Sequence, residues 1–255
     1  MIRVALILMT LAGGAVACDL PGRDMSTRGT TWTSGASEWR VEMIGRTDRY
    51  GHAIMGELAD STGLLVERKG PGEPECPRHL ELPASQVIED IAPRWADVTG
   101  DGTPEVLTVV SSQTRGARLA VFDADLKPLA MGPEIGRRFR WLAIIGVGDF
   151  DGNGRPDIAY VETPHLGKTL RIWSLRDGAL VEIGRTSGLT NHRIGDETNT
   201  SAVASCSDGP DRVVLADARW DRAVTAWIDD GEVVTEVVGP FEGPASIAAA
   251  AHCDG

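Results

Sequence analysis

The sequence predicts an all-β protein: a β-propeller built from repeats of about 50 residues, with about five blades. Three observations predict it. Glycine and proline account for 30 and 14 of the 255 residues, which favours turns and short strands over long helices. Short β-branched runs, such as Val213–Ala216 and Glu232–Val238, alternate with Asp-Gly turns at Asp177-Gly178, Asp208-Gly209 and Asp230-Gly231. An aspartate- and glycine-rich loop that feeds a strand occurs twice, about 50 residues apart, and a worn third copy follows at a similar interval. With 42% hydrophobic residues the chain can bury a core. A four-stranded sheet cannot cover both of its faces, but stacking such sheets around an axis does, and closing the ring protects their edges.

From the N-terminus, Met1-Ile2-Arg3 and the apolar run from Val4 to Ala17 read as an export signal, residues 1–17. Two processing readings stay open. Ala15-Val16-Ala17 suits an ordinary signal peptidase, whereas Ala15-Val16-Ala17-Cys18 resembles a lipobox, with Cys18 acylated. Residues 18–31 read as a linker and 32–255 as the propeller. No later stretch is long and apolar enough to span a bilayer. The expected location is the periplasm or cell envelope, soluble or lipid-anchored through Cys18.

Repeat units are expected around residues 87–110, 139–161, 199–216 and 245–255. Upstream, Gly51–Glu57 with Leu64–Glu67 reads as a further degenerate unit. In the first clear unit, Trp95-Ala-Asp97-Val-Thr99-Gly-Asp101-Gly-Thr103-Pro-Glu105 leads into a β-branched run. In the second, Gly148-Asp149-Phe-Asp151-Gly-Asn153-Gly-Arg155-Pro-Asp157 does the same. The third keeps Asp208-Gly-Pro-Asp211 and the strand but has lost the middle of the loop. Ser246–Ala251 resembles the strand that enters such a loop. Five tryptophans, Trp95, Trp141, Trp173, Trp220 and Trp227, are expected to fill or flank the cores between blades rather than to stack on sugars.

Oxygen donors at alternate positions of a tight loop suit a hard cation, and calcium is the expected ligand. The first loop offers Asp97, Thr99, Asp101, the carbonyl of Thr103 and Glu105. The second offers Asp149, Asp151, Asn153, the carbonyl of Arg155 and Asp157. With Thr99 as the weakest donor, the second loop is expected to bind more tightly; the metal-free alternative is an Asp/Gly turn held by its own hydrogen bonds. No bidentate acid stands at position 12, so these are not EF-hands. The pattern D-x-D-G-D-G-x-x-D running into a strand resembles the FG-GAP/VCBS repeats. That resemblance covers the chain from about Trp32 to Gly255 and implies a β-propeller with calcium-binding loops. The F-G…G-A-P signature itself is absent, and the family has no single activity.

The four cysteines, Cys18, Cys76, Cys206 and Cys253, form no C-x-x-C pair. Cys206 and Cys253 fall at similar places in successive units, so a bridge between them is expected, with two buried free thiols as the alternative. If Cys18 is not lipidated, all four cysteines remain available for bridges; if it is, Cys76 is the odd one out.

Net charge is −12, which disfavours nucleic acid as a partner. Among the five histidines there is no H-E-x-x-H, and G-x-S-x-G is missing from the chain. One constellation stands out. Tyr50-Gly-His52-Ala-Ile-Met-Gly56-Glu57 and Thr190-Asn-His192-Arg-Ile-Gly195-Asp196-Glu197 share a histidine, an isoleucine two residues on, then glycine and an acid, with Thr163-Pro-His165-Leu-Gly167 as a shorter echo. In a ring, His52, His165, His192 and Asp196 form a candidate ligand face. The main expectation is a non-enzymatic, calcium-binding module that binds or scaffolds an envelope protein or glycan. The alternative is a hydrolase or lyase using the histidine and acid cluster. Convergence of the histidine segments separates the two, because dispersed histidines leave an enzyme without a site.

Overall fold

The structure, a computed structural model, describes residue 18 and residues 25–71, 76–205 and 209–252. It is all-β, with antiparallel sheets stacked as propeller blades. The first blade contains β1 (Met25–Ser34), β2 (Ser37–Thr47), β3 (Asp60–Lys69) and β4 (Arg78–Glu81), paired in that order. The short β5 (Gln86–Ile88) bridges it to the second blade by pairing with both β3 and β7. That second blade contains β6 (Arg94–Ala96), β7 (Glu105–Ser112), β8 (Gly116–Phe122) and β9 (Pro128–Met131). The third is β10 (Leu142–Gly148), β11 (Asp157–Glu162), β12 (Thr169–Arg176) and β13 (Ala179–Ser187). The fourth is β14 (Leu189–Thr190) and β15 (Ser201–Ala204), both on β16 (Arg212–Asp217), then β17 (Arg222–Asp229) and β18 (Glu232–Pro240). The helix α1 (Pro244–Ala250) closes the described chain.

Period-two alternation explains the stacking, since successive side chains of a strand face opposite ways. Val106 and Val110 of β7 pack toward the first blade with Val41, Met43, Leu64 and Phe122. Leu107 and Val109 of the same strand pack toward the third with Ile144, Ile158 and Trp173. Ala159, Val161 and Ile172 of the third blade face Val213, Leu215 and Val224 of the fourth. Both faces of the middle blades are therefore buried. Trp95, Trp141 and Trp173 are buried in these layers, as expected for core tryptophans.

The described strands fall into sheets of nine, four and five strands, and no single closed sheet joins them. Two expectations are corrected. The sheet begins at Met25, inside the stretch read as linker. The segment at 245–255, read as the start of a further unit, opens as a helix over Pro244–Ala250. The reason is local: proline at the start of the helix is preorganised for it, and an alanine run has the highest helix propensity. Ile247 then packs on Ala204, Val214 and Ala223, covering the outer face of the fourth blade. The Cys206–Cys253 pairing lies outside the described residues. Cys18 is bonded to Cys76, so the sulfur that a lipid would take is engaged in a disulfide.

Antiparallel connectivity sorts the loops to two ends. Both aspartate loops join the first and second strands of a blade, at one end. Loops 51–57 and 163–167 join second and third strands, and Phe139–Trp141 precedes β10, so these gather at the other end.

Candidate functional site

At the loop end of the second and third blades the two aspartate loops differ in one decisive respect. In the first, Asp97 accepts backbone N–H groups from Gly100 (2.7 Å), Asp101 (3.1 Å) and Gly102 (2.8 Å). Asp101 accepts from the N–H of Thr103 at 2.7 Å. Glu105 turns inward and accepts from the N–H of Val98 (2.8 Å), the N–H of Thr99 (3.3 Å) and the Thr99 hydroxyl (3.2 Å). Its acid is already engaged by the loop. In the second loop Asp149 accepts from the N–H groups of Asn153 (2.9 Å) and Gly154 (2.8 Å), and Asn153 donates its amide to Asp151 at 2.7 Å. Asn153 in turn accepts from the N–H of Arg155 at 2.8 Å. Asp157 is fully buried, and neither of its carboxylate oxygens makes a hydrogen bond of ordinary geometry, although the Ser174 side chain and the Phe150 N–H lie close enough to oppose the rise of its pKa. Burial, with Asp151 and Asp149 beside it, pushes its carboxyl up to about 6. Asp149, Asp151 and Asp157 offer oxygens within 4.8 Å of one another, the one such group among the described residues. A buried carboxylate without a well-formed hydrogen bond is costly, and a divalent cation is the partner this donor set fits. The third loop docks on this one, with reciprocal 2.8 Å bonds between Asp149 and Asp211.

At the opposite end the histidine segments converge. His52, Ile54, Phe139, Arg140, Trp141, Thr163, His165 and Ile194 are among the residues lining one cavity of ≈ 260 Å³. The segments touch directly: the N–H of Gly195 donates to the carbonyl of Ile54 at 3.0 Å. Gly56 has φ +63, and a Cβ there would stand 2.6 Å from the carbonyl oxygen of Gly195. Ala53, Phe139 and Thr163 also hold positive φ, and such strained non-glycine residues concentrate at functional sites.

The charged element of this site is Glu89, which the sequence reading missed. It is fully buried at the end of β5, and its carboxylate lies 2.5 Å from Nδ1 of His52. Its second oxygen accepts from the Ser111 hydroxyl, and its backbone carbonyl accepts from the indole N–H of Trp141 at 2.7 Å. Burial raises its pKa, and His52 opposes that rise. The signal was present as an acid directly after the buried pair Val87-Ile88. His52 stacks on Phe139 with ring centroids 5.0 Å apart. On the other wall, Nε2 of His165 is 2.9 Å from Nδ1 of His192, whose Nε2 is 2.8 Å from the backbone carbonyl of Asp196. Burial depresses both imidazoles, His165 to about 4 with His192 as its next cause. Asp196 therefore contributes its backbone, and the acid of the site is Glu89.

No protein-family model and no curated protein matches the chain. Solved structures do, among them a GH43 β-1,3-galactosidase with galactodeoxynojirimycin, at 11% sequence identity and a TM-score of 0.41, covering 82% of this chain and 74% of that one. The expectation of a non-enzymatic binding or scaffold module is corrected at this point. The histidine segments meet in a cavity beside a buried acid instead of dispersing, which is the arrangement the hydrolase alternative called for. The hydrolase alternative fits better. At that level of likeness the match carries nothing about substrate or residues.

Proposed function

We propose that the chain is a hydrolase whose general base is His52. One observation carries the reading: the 2.5 Å contact between Nδ1 of His52 and the sealed carboxylate of Glu89, in the wall of a cavity. With Nδ1–H donated to Glu89, the proton-accepting nitrogen is Nε2, which has no partner among the described residues and is not a sealed atom. A carboxylate that accepts from both an imidazole and a hydroxyl is held in place, and it stabilises the imidazolium that forms when His52 takes a proton. In the reaction, a water gives its proton to Nε2 of His52 as its oxygen bonds to the electrophilic centre of the substrate. The bond to the leaving oxygen breaks, and that oxygen receives the proton back from His52. Arg140, in the same wall, is a cation placed to offset negative charge that develops on the substrate.

The same reading assigns a calcium ion to Asp149, Asp151 and Asp157, at the far end from the cavity, where it fixes the loop between β10 and β11. The buried oxygens of Asp157, without a hydrogen bond of ordinary geometry, support this, and so does the likeness of the loop to FG-GAP/VCBS repeats. We assign the protein to an exported compartment, on the residue 1–17 signal and on the Cys18–Cys76 bond, which an oxidising environment permits.

The test is turnover of p-nitrophenyl glycosides, phosphates and acetate by the purified protein. His52→Ala is expected to reduce kcat by about 10²–10⁴-fold on whichever substrate is turned over. Glu89→Gln, which keeps the shape, is expected to reduce it while circular dichroism stays unchanged. Undiminished turnover in His52→Ala, or none by the wild type on any of the three classes, refutes the assignment.

A further inference from the structure

The two histidines on the far wall of the cavity are fixed by a directional chain of hydrogen bonds. A backbone carbonyl only accepts, so the contact from Asp196 O requires the proton of His192 to sit on Nε2. His192 is 1% exposed, and burial keeps it neutral, so its Nδ1 is bare and can only accept. Its 2.9 Å partner, Nε2 of His165, must then carry a proton and donate. That leaves Nδ1 of His165 without one. The ring's hydrogen bond of ordinary geometry is made through Nε2, the backbone of His192 lies close beside the ring, and the residue lines the cavity.

We propose that His192 is a positioning residue that locks His165 in its Nε2–H tautomer, so that His165 presents a bare Nδ1 as the acceptor for a hydroxyl borne by an uncharged ring in the cavity. The surroundings fit such a ring. Phe139, Trp141, Ile54 and Pro164 are apolar walls, and Leu166 and Ile194, 63% and 70% exposed, stand at the same cavity. The indole of Trp141 lies parallel to His165, 6° between planes and 6.3 Å between centroids, and holds that imidazole from one side. The imidazole of His192 crosses that of His165 at 64°, which directs Nδ1 of His192 at the edge of His165. A neutral acceptor selects a donor over an anion, because an anionic group facing a lone pair has nothing to bond.

This inference rests on the same cavity as the hydrolase reading, and it is tested by binding and tautomer, neither of which needs turnover. Nitrogen-15 spectra of the full chain at neutral pH are expected to show His165 with a protonated Nε2 and an unprotonated Nδ1. Phenol is the probe and toluene, of the same shape without a donor, the control. Phenol is expected to bind about fivefold more tightly than toluene and to shift the His165 Nδ1 resonance. His192→Leu, which removes the acceptor, is expected to give a mixture of His165 tautomers and to abolish the phenol preference. His192→Asn, whose side-chain oxygen can accept in place of Nδ1, is expected to restore both. A proton found on Nδ1 of His165 in the wild type, equal binding of phenol and toluene, or an unaltered tautomer in His192→Leu overturns the proposal, whether or not the protein hydrolyses any substrate.

Discussion

Calcium added to the metal-free protein should raise its melting temperature, and the whole increment should depend on Asp157. The carboxylate of Asp157 is fully buried and makes no hydrogen bond of ordinary geometry, beside Asp149 and Asp151. Three acids sharing one corner repel one another, and a divalent ion removes both the repulsion and the missing partner. Exported sites of this class bind at about 10⁻⁴–10⁻³ M. At 10 mM calcium, mass action then stabilises the folded state by about 1.4–2.7 kcal/mol. For a domain of this length each kcal/mol moves the midpoint by about 2–4 °C, so a rise of about 3–10 °C is expected. The assay is a thermal melt by circular dichroism in chelator, in 10 mM magnesium and in 10 mM calcium. Asp157→Asn should melt higher than wild type in chelator, because it removes the unpaired buried charge, and should not respond to calcium. Asp97→Ala should leave the calcium response intact, since the acid of that loop is taken up by Val98 and Thr99. A wild-type melt unmoved by calcium, or an equal shift in Asp157→Asn, refutes the reasoning.

Three further outcomes follow from the structure. Cys76→Ser opens a bridge spanning 58 residues, for which chain entropy gives a loss of about 4 kcal/mol; urea melts measure it, and intact mass of the mature chain should show Cys18 without a lipid. Gly56→Ala places a Cβ against Gly195 at positive φ and should cost about 1–3 kcal/mol in the same melts. Asp60 is pushed up to about 7, first by burial and then by Glu89. Its folded pKa lies above its unfolded one, so its contribution to stability is full at low pH and is lost as pH rises from about 4 toward 7; Asp60→Asn should flatten that part of the stability profile.

What the sequence made legible is what is local. The loops at 97–105 and 149–157 carry their own turn chemistry, and the strands that leave them, Glu105–Ser112 and Asp157–Glu162, follow from unbroken β-branched runs. The shared pattern of the His52 and His192 segments was visible in the sequence; their contact, through Ile54 and Gly195, came from the structure. The segment at Ser246–Ala250 misled because a small apolar run reads equally as strand or helix, and its neighbours decide. Pro244 and the exposed face of the fourth blade decided for the helix.

The sequence by itself determined the class of element, the repeat and the positions of the acidic corners, because turns and alternation act over a few residues. Only the tertiary structure decided that Glu89, rather than Asp196, is the acid beside His52, that His165 leans on His192, and that Cys18 meets Cys76. Those are contacts between segments far apart along the chain. Such contacts are set by how sheets stack and how their end loops meet, and no local pattern of residues encodes that.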